Sequence, residues 1–596
     1  MKNRIAKFLA LTLSLVLLCG CAGPGSDLTG RLGDVISQLN FDKAQEHNPD
    51  GVMFSDMLYA RPDGDKLAAD VEAVKEALES GASLKNVEKL LDVCMDDYDD
   101  FSTMYSLANI YNCRDLRDEY YAAEYEWIST ESAEISRLFD EMYYACAGSR
   151  LGAQLEEDYF WEGFCEEYAD PNDSYYNDET VALMQRESEL ISRYREIVAD
   201  PTVMYEGKET SFNELIEELA GAEDIQSYYR YLTVLMNYYQ KYNGPLANVY
   251  IDLMRVRTEM AEKMGFSSCE EMEYVFCFDR DYTPQDAAVF IDDVRTYLVP
   301  LYRWANENGI VGSYGYASLS SEELYAGMQA VANSIGRDCT EAFSFMSKYG
   351  LYDIEPSVYK ADTSFQTYLS NYESPFIFLK PRGTSDDLLT FVHEFGHYTD
   401  AYVNFDANET IDIAEVFSQA LEFLALSHMD GVLAESEIAK LREGKMIDAL
   451  DTFIQQAAFA EFESRAHAIG PDDLTAEKLN ALALEVAKDY GFCPEGFEVF
   501  YSYYWMDITH FFEYPFYVIS YPVSLEVAMQ LCALEQQQSG LGLEKYFEML
   551  PRDYDSFMDT VMNAGLESPF ADGALASIAE LIGDTLGFQG ALPYAA

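Results

Sequence analysis

Basic residues are scarce in this chain. Among its 596 residues, 39 are Lys or Arg and 105 are Asp or Glu, a formal net charge of −66. Phosphate would be repelled by such a surface, so no nucleic acid is expected among its partners. Histidine is scarcer still, with six copies at 47, 393, 397, 428, 467 and 510. Eleven cysteines are present, and those past the N-terminus occur never as C-x-x-C and never closely clustered, which argues against a cysteine-held metal. Past the N-terminus nine remain, at 94, 113, 146, 165, 269, 277, 339, 493 and 532. An odd number cannot all pair within one chain, and they read mainly as buried free thiols with at most a few disulfides. No internal repeat or low-complexity segment stands out. No apolar run after the N-terminus approaches the roughly 20 residues a membrane helix needs. What the chain has in quantity is apolar surface: 49% of residues are hydrophobic, ample for a large core and not a disordered composition.

The first segment reads as a targeting signal. Lys2, Arg4 and Lys7 precede an apolar run from Phe8 to Leu18, which is too short to span a bilayer. It ends in Leu18-Cys19-Gly20-Cys21, which resembles a bacterial lipobox, with leucine three residues before Cys21 and glycine just before it. The resemblance implies a signal peptide over 1–20, a lipidated Cys21, and a flexible tether over 21–30 built from small residues. The expectation is an extracytoplasmic protein held to a bacterial membrane by lipid. An ordinary secretory signal with two chance cysteines is the alternative.

Helical periodicity dominates the rest. Between 66 and 91, Leu67, Val71, Val74 and Leu78 form one apolar stripe. Similar patterns recur over 126–145, 180–200, 211–264, 284–309, 320–348, 433–468 and 540–550. The clearest strand is Ser374-Pro375-Phe376-Ile377-Phe378-Leu379-Lys380. The fold is expected to be mainly α, with a small β-sheet beside the chemistry. Asp200-Pro201 and Glu206-Gly207-Lys208 interrupt the helical pattern. They suggest an N-terminal helical lobe over 31–205 and a catalytic region over 206–596.

The decisive residues are His393-Glu394-Phe395-Gly396-His397. Residues four apart lie on one helix face, so both imidazoles can reach one metal ion. Glu394 sits beside them, placed to take a proton from a water. Thr384 or Ser385 is expected to cap this helix, with Asp386 and Asp387 in its first turn. A catalytic zinc takes three protein ligands. On the next expected helix, Ile411 to Met429, Glu415 and Glu422 are seven residues apart on one face, and either can close the site.

The segment Gly383-Thr384-x-x-Asp387-(x)5-HEFGH, followed by Ala414-Glu415-Val416-Phe417-Ser418-(x)3-Glu422, resembles the thimet oligopeptidase and oligoendopeptidase F family of zinc peptidases. A third stretch, His510-Phe-Phe-Glu-Tyr514-Pro515-Phe516-Tyr517-Val518-Ile519-Ser520-Tyr521, is similar to the family's C-terminal segment. The resemblance implies a two-lobed helical body around a deep channel and one zinc per chain, held by His393, His397 and Glu415. Glu422 would then stand behind the ligands. His510 and Tyr517, with Tyr514 or Tyr521 as further candidates, would bind the developing oxyanion, and Gly383 would lie near substrate. The linker between the two helices is several residues shorter than in typical members, and the third stretch carries one extra residue.

The function implied is a zinc endopeptidase for short unstructured peptides, which would pair with the edge of the strand at 374–380. A zinc carboxypeptidase or dipeptidase on a similar channel is the nearer alternative. The other is a peptide-binding lipoprotein without catalysis, which gives no reason for Glu394.

Overall fold

The computed structural model describes residues 47–161, 163–171, 174–199, 201–220, 225–310, 316–361, 363–405, 410–551 and 556–590. The signal segment, Cys21 and the tether lie outside the described residues.

Helix α1 (Gly64–Glu79) begins where the Asp63 carboxylate accepts the Lys66 N–H at 2.9 Å, a cap worth about 1 kcal/mol. Its stripe Leu67, Val71, Val74 and Leu78 is buried. The backbone then turns left-handed at Gly81, φ +76°, and restarts as α2 (Leu84–Arg114). The stretch 66–91, expected as one stripe, is therefore two helices, because glycine supplies the conformation that stops the first. α3 (Glu119–Ala147) packs across both. α4 (Asp178–Ala199) and α5 (Ile225–Met264) lie side by side. Between them comes an antiparallel hairpin, β1 (Thr202–Tyr205) with β2 (Lys208–Ser211). Glu206 and Gly207 at its tip both have positive φ, as tight two-residue turns require. The interruption at 201–210 is this hairpin.

A three-stranded sheet lies next to the site. β3 (Tyr352–Asp353) runs parallel and β4 (Phe365–Leu369) antiparallel to β5 (Ser374–Phe378), in the order β3-β5-β4. All five residues of β5 are buried. The expected free edge at 374–380 is thus not there: β5 is the middle strand, paired along its length with β4 and at Ile377 and Phe378 with β3. Buried hydroxyls of α2 meet this sheet. Ser106 Oγ donates to the Tyr368 carbonyl at 2.9 Å, and the Asn371 N–H donates to Thr103 Oγ1 at 2.8 Å.

The HEFGH segment lies on α6 (Asp387–Asn404), which packs on β4 and β5. The expected cap by Thr384 or Ser385 is replaced by another device. The Asp387 carboxylate accepts the N–H groups of Arg382, Gly383 and Thr384 at 2.9, 2.7 and 2.9 Å. It ties the incoming loop to the first turn, where the helix dipole favours a negative charge.

α6 crosses α7 (Ile411–Ala425), every residue of which is buried. The crossing is at Gly396. A Cβ there would meet Ser418 Cα at 2.6 Å and the Phe417 carbonyl oxygen at 2.8 Å, so no larger residue fits without separating the helices. α8 (Glu435–Ile469), the short α9 (Thr509–Glu513) and α10 (Ser520–Gln537) complete the surroundings, with α10 along α7. One hydrophobic cluster runs through all these parts, from Phe54 to Ile582.

Candidate metal centre and active site

The α6–α7 crossing brings His393, His397 and Glu415 together. One ligand atom from each lies within 4.8 Å of the other two. His393 Nε2 is 3.7 Å from Glu415 Oε2, and the two imidazoles stand edge to face at 5.1 Å. His393 Nδ1 is 3.0 Å from Glu422 Oε1. With Nδ1–H donated to that carboxylate, Nε2 keeps its lone pair for a metal. Glu422 is held in turn by Lys445 Nζ at 2.5 Å, reaching in from α8. Glu415 Oε2 accepts from Gln419 Nε2 at 3.2 Å and Ser418 Oγ at 3.3 Å.

The electrostatics call for a cation. Glu394, Glu415 and Glu422 are each only 6% exposed, and Lys445 is the one lysine or arginine paired with any of them among the described residues. Buried carboxylates without compensation are costly. Burial, with the charges of Glu415 and Glu422, lifts Glu394 to about 7 against the pull of His393. Burial raises Glu422 too, but Lys445 and His393 outweigh it and its carboxyl stays below the usual range. Burial lowers His393, yet the Glu422 hydrogen bond and the three carboxylates carry it up to about 9. Burial and His393 hold His397 down to about 4. Two imidazole nitrogens and one carboxylate oxygen are the donor set of a catalytic zinc site with one position left open.

The segment from α9 to α10 reaches α7, where Gln419 Nε2 donates to the Tyr521 carbonyl at 3.5 Å. Tyr521 Oη is 3.4 Å from His510 Nε2, and the rings of Tyr517 and Tyr521 are 5.2 Å apart. Burial lowers His510 to about 4, so the ring is neutral. Burial pushes both tyrosines up, and both sense the charge of Glu415; Tyr521 also senses Glu394. The Tyr514 ring packs 6.1 Å from His510 and 6.3 Å from Tyr517. Its hydroxyl donates to Glu513 Oε2 at 3.4 Å, and Glu513 pairs with Arg195. Gly383 is a loop-shaping residue with φ +83°. Its N–H goes to Asp387, and its carbonyl accepts from the Leu319 N–H at 2.9 Å.

Of the other histidines, His47 stacks on Tyr402 at 4.2 Å and Phe405 at 4.0 Å, with Nδ1 2.8 Å from the Glu373 carbonyl. An aromatic slot at the end of α6 has no signature in the residues around position 47. His428 meets Ser334 Oγ at 2.8 Å, and His467 packs against Phe516 at 4.8 Å. All nine described cysteines are free thiols. Sequence reasoning missed Lys445, Gln419, Arg257, Arg280 and Asp412. Gln419 and Asp412 at least share α7 with Glu415, so helical spacing could have flagged them; the rest come from distant segments.

Helix-borne His, His and Glu donors, with a second glutamate between the histidines, are a donor set that would suit a metallopeptidase on a helical scaffold. Comparison with known proteins agrees. Residues 54–164 match the Peptidase M3 N-terminal domain and residues 339–580 match Peptidase family M3. The chain belongs to this family. It is 29% identical over 238 residues to the chromosomal oligoendopeptidase F of Lactococcus lactis subsp. cremoris, a match spanning 37% of this chain and 38% of that protein. It is 26% identical over 297 residues to the group B oligopeptidase PepB of Streptococcus agalactiae, 47% of each chain. These matches span less than half the length of the curated relatives. The fold extends further. PZ peptidase A, solved with an inhibitor, superposes with a TM-score of 0.75 at 22% identity, covering 90% of this chain and 99% of that one. Oligoendopeptidase F from Enterococcus faecium gives 0.59 at 17% identity, covering 88% and 96%.

Proposed function

We propose that this protein is a zinc-dependent endopeptidase that hydrolyses short, unstructured peptides. The observation that carries the reading is the meeting of His393, His397 and Glu415 ligand atoms within 4.8 Å of one another, with Glu394 next to His393 on the same helix. His393, His397 and Glu415 would hold the zinc. When bound there, zinc supplies Lewis acidity, which makes water a usable nucleophile near neutral pH and polarises the scissile carbonyl. Glu394 takes the proton from the attacking water and passes it to the departing amine. The hydroxyls of Tyr521 and Tyr517 and neutral His510 donate towards the carbonyl oxygen as it gains charge. Glu422, braced by Lys445, fixes the tautomer of His393. A channel between helical lobes, as the family resemblance implies, would admit an extended peptide. A folded domain would first have to unfold, at about 5–15 kcal/mol.

The test is zinc content of the purified protein together with mass mapping of products from a mixed peptide library. Internal cuts by a protein holding one zinc support the reading. Stepwise trimming from an end would turn it into an exopeptidase, and retained but uncut peptides would make it a binding protein. We also propose the lipid anchor at Cys21, supported by the N-terminal residues alone. Retention of a Cys21→Ser variant in the membrane fraction would overturn it.

A further inference from the structure

Arg280 lies outside the metal-site motifs, yet it is a buried cation that touches both halves of the site. It sits in the segment after the π-helical turn Glu273–Cys277. Its side chain is fully buried. Nη2 donates to Ser520 Oγ at 2.8 Å and to the Tyr517 carbonyl at 3.4 Å. Ser520 opens α10 one residue before Tyr521. On its other side Nε lies 3.4 Å from Asp412 Oδ2, also fully buried. Asp412 stands on α7 three residues before Glu415, so the two are neighbours on one helix. Tyr282 Oη donates to Asp412 Oδ1 at 3.0 Å, and Ser524 Oγ donates to the Asp412 carbonyl at 2.7 Å. The guanidinium is boxed by the rings of Tyr274 at 4.4 Å and Phe278 at 4.6 Å.

As a source of stability this is a poor arrangement. Arg280 Nε and Nη1 and Asp412 Oδ2 make no hydrogen bond in full burial, and a buried pair of this kind often stabilises less than well-packed apolar residues would. What it supplies is register. The oxyanion segment needs such help. It contains a five-residue helix, and Phe516 has φ +59°. Arg257 holds α9 from behind through the carbonyls of Phe511 and Phe512, and Glu463 holds the Phe516 N–H. These contacts fix the segment to α5 and α8; Arg280, together with the Gln419 amide that donates to the Tyr521 carbonyl at 3.5 Å, ties it to the helix that bears Glu415.

We infer that Arg280 is a positioning residue that sets the distance between the tyrosine hydroxyls and the metal site, and so governs turnover rather than substrate affinity. The inference rests on the proposed peptidase reading. An error of about 1 Å in such a distance costs roughly 100-fold in rate.

The test compares Arg280→Met, Arg280→Lys and Ser520→Ala with the wild-type holoenzyme. Arg280→Met should lower kcat per bound zinc ~10–100-fold with KM within about threefold, and weaken binding of a phosphinic peptide transition-state analogue in parallel. Arg280→Lys should recover part of the loss through Asp412. Ser520→Ala, which removes one hydrogen bond and little volume, should cost ~3–10-fold in kcat and remains decisive if Arg280→Met does not fold. In the metal-free protein, amide exchange over 514–521 should speed up in Arg280→Met while that of 411–425 changes less. Wild-type kcat in Ser520→Ala or in folded Arg280→Met, or a loss confined to KM, overturns the inference. A wild-type protein that cuts no peptide overturns the peptidase reading instead, while the exchange result still judges the coupling.

Discussion

The two walls of the site are built differently. The metal wall consists of two long helices on which helical spacing places the groups, His393 and His397 four residues apart on α6, and Glu415 and its supporting Glu422 seven apart on α7. They meet at a glycine. The oxyanion wall is a short helix, a residue with positive φ and the first turn of another helix. Buried charges from three other segments hold it in place. One wall is regular secondary structure that needs a close crossing. The other is irregular backbone that needs a scaffold, because its own hydrogen bonds cannot specify it.

The largest effect expected on the metal wall is loss of the base. Glu394→Gln should keep zinc and fold but lower kcat by about 10²–10⁴; near-wild-type turnover would remove Glu394 from the mechanism. On the oxyanion wall, Tyr521→Phe should cost roughly 10²-fold in kcat with little change in KM. Tyr514→Phe should be close to neutral, since that hydroxyl faces Glu513. Equal losses at 514 and 521 would show that the wall acts through packing.

Smaller effects separate ligand from support. Glu415→Ala should abolish stoichiometric zinc. Glu422→Ala and Lys445→Met should each weaken zinc roughly 10–100-fold, read by chelator competition; the opposite order would reverse the ligand assignment. Gly396→Ala should destabilise by about 1–3 kcal/mol in thermal or denaturant unfolding and loosen zinc binding, because the methyl group wedges α6 from α7. An unchanged variant would mean the crossing is not tight.

The smallest effect is one of pH, on the oxyanion wall. Asp507 lies two residues before α9, and burial lifts it to about 6, with the Tyr239 hydroxyl pulling the other way. The folded state therefore holds this proton more tightly than the unfolded chain. Its contribution is favourable below about pH 4 and is lost as pH rises through about 6. Asp507→Asn should gain on wild type across that window by on the order of 1–2 kcal/mol in urea unfolding. A difference independent of pH would assign the effect to packing alone.

Legibility followed the same division. His393, Glu394, His397 and the pair Glu415 and Glu422 could be read from spacing, because an α-helix converts sequence distance into a shared face. The family resemblance reached His510 and the tyrosines but left three tyrosines open. Phe516 turns the backbone between 514 and 517, and nothing in its own chemistry announces a positive φ. The cap of α6 was misassigned for a related reason: Thr384 and Ser385 suit a cap locally, but Asp387 reaches three backbone donors that only the folded loop presents.

The sequence by itself determined a mainly helical chain, two imidazoles and a carboxylate on one helix face, and a carboxylate on the helix after it, since these rest on local periodicity. The tertiary structure alone decided that Lys445 braces Glu422, that β5 is the middle strand, and that Arg280 joins Asp412 to Ser520. Those contacts cross 23, 5 to 25, and 132 and 240 residues of chain. Pairings at such separations are selected by packing and burial of the whole fold, to which no local pattern is sensitive.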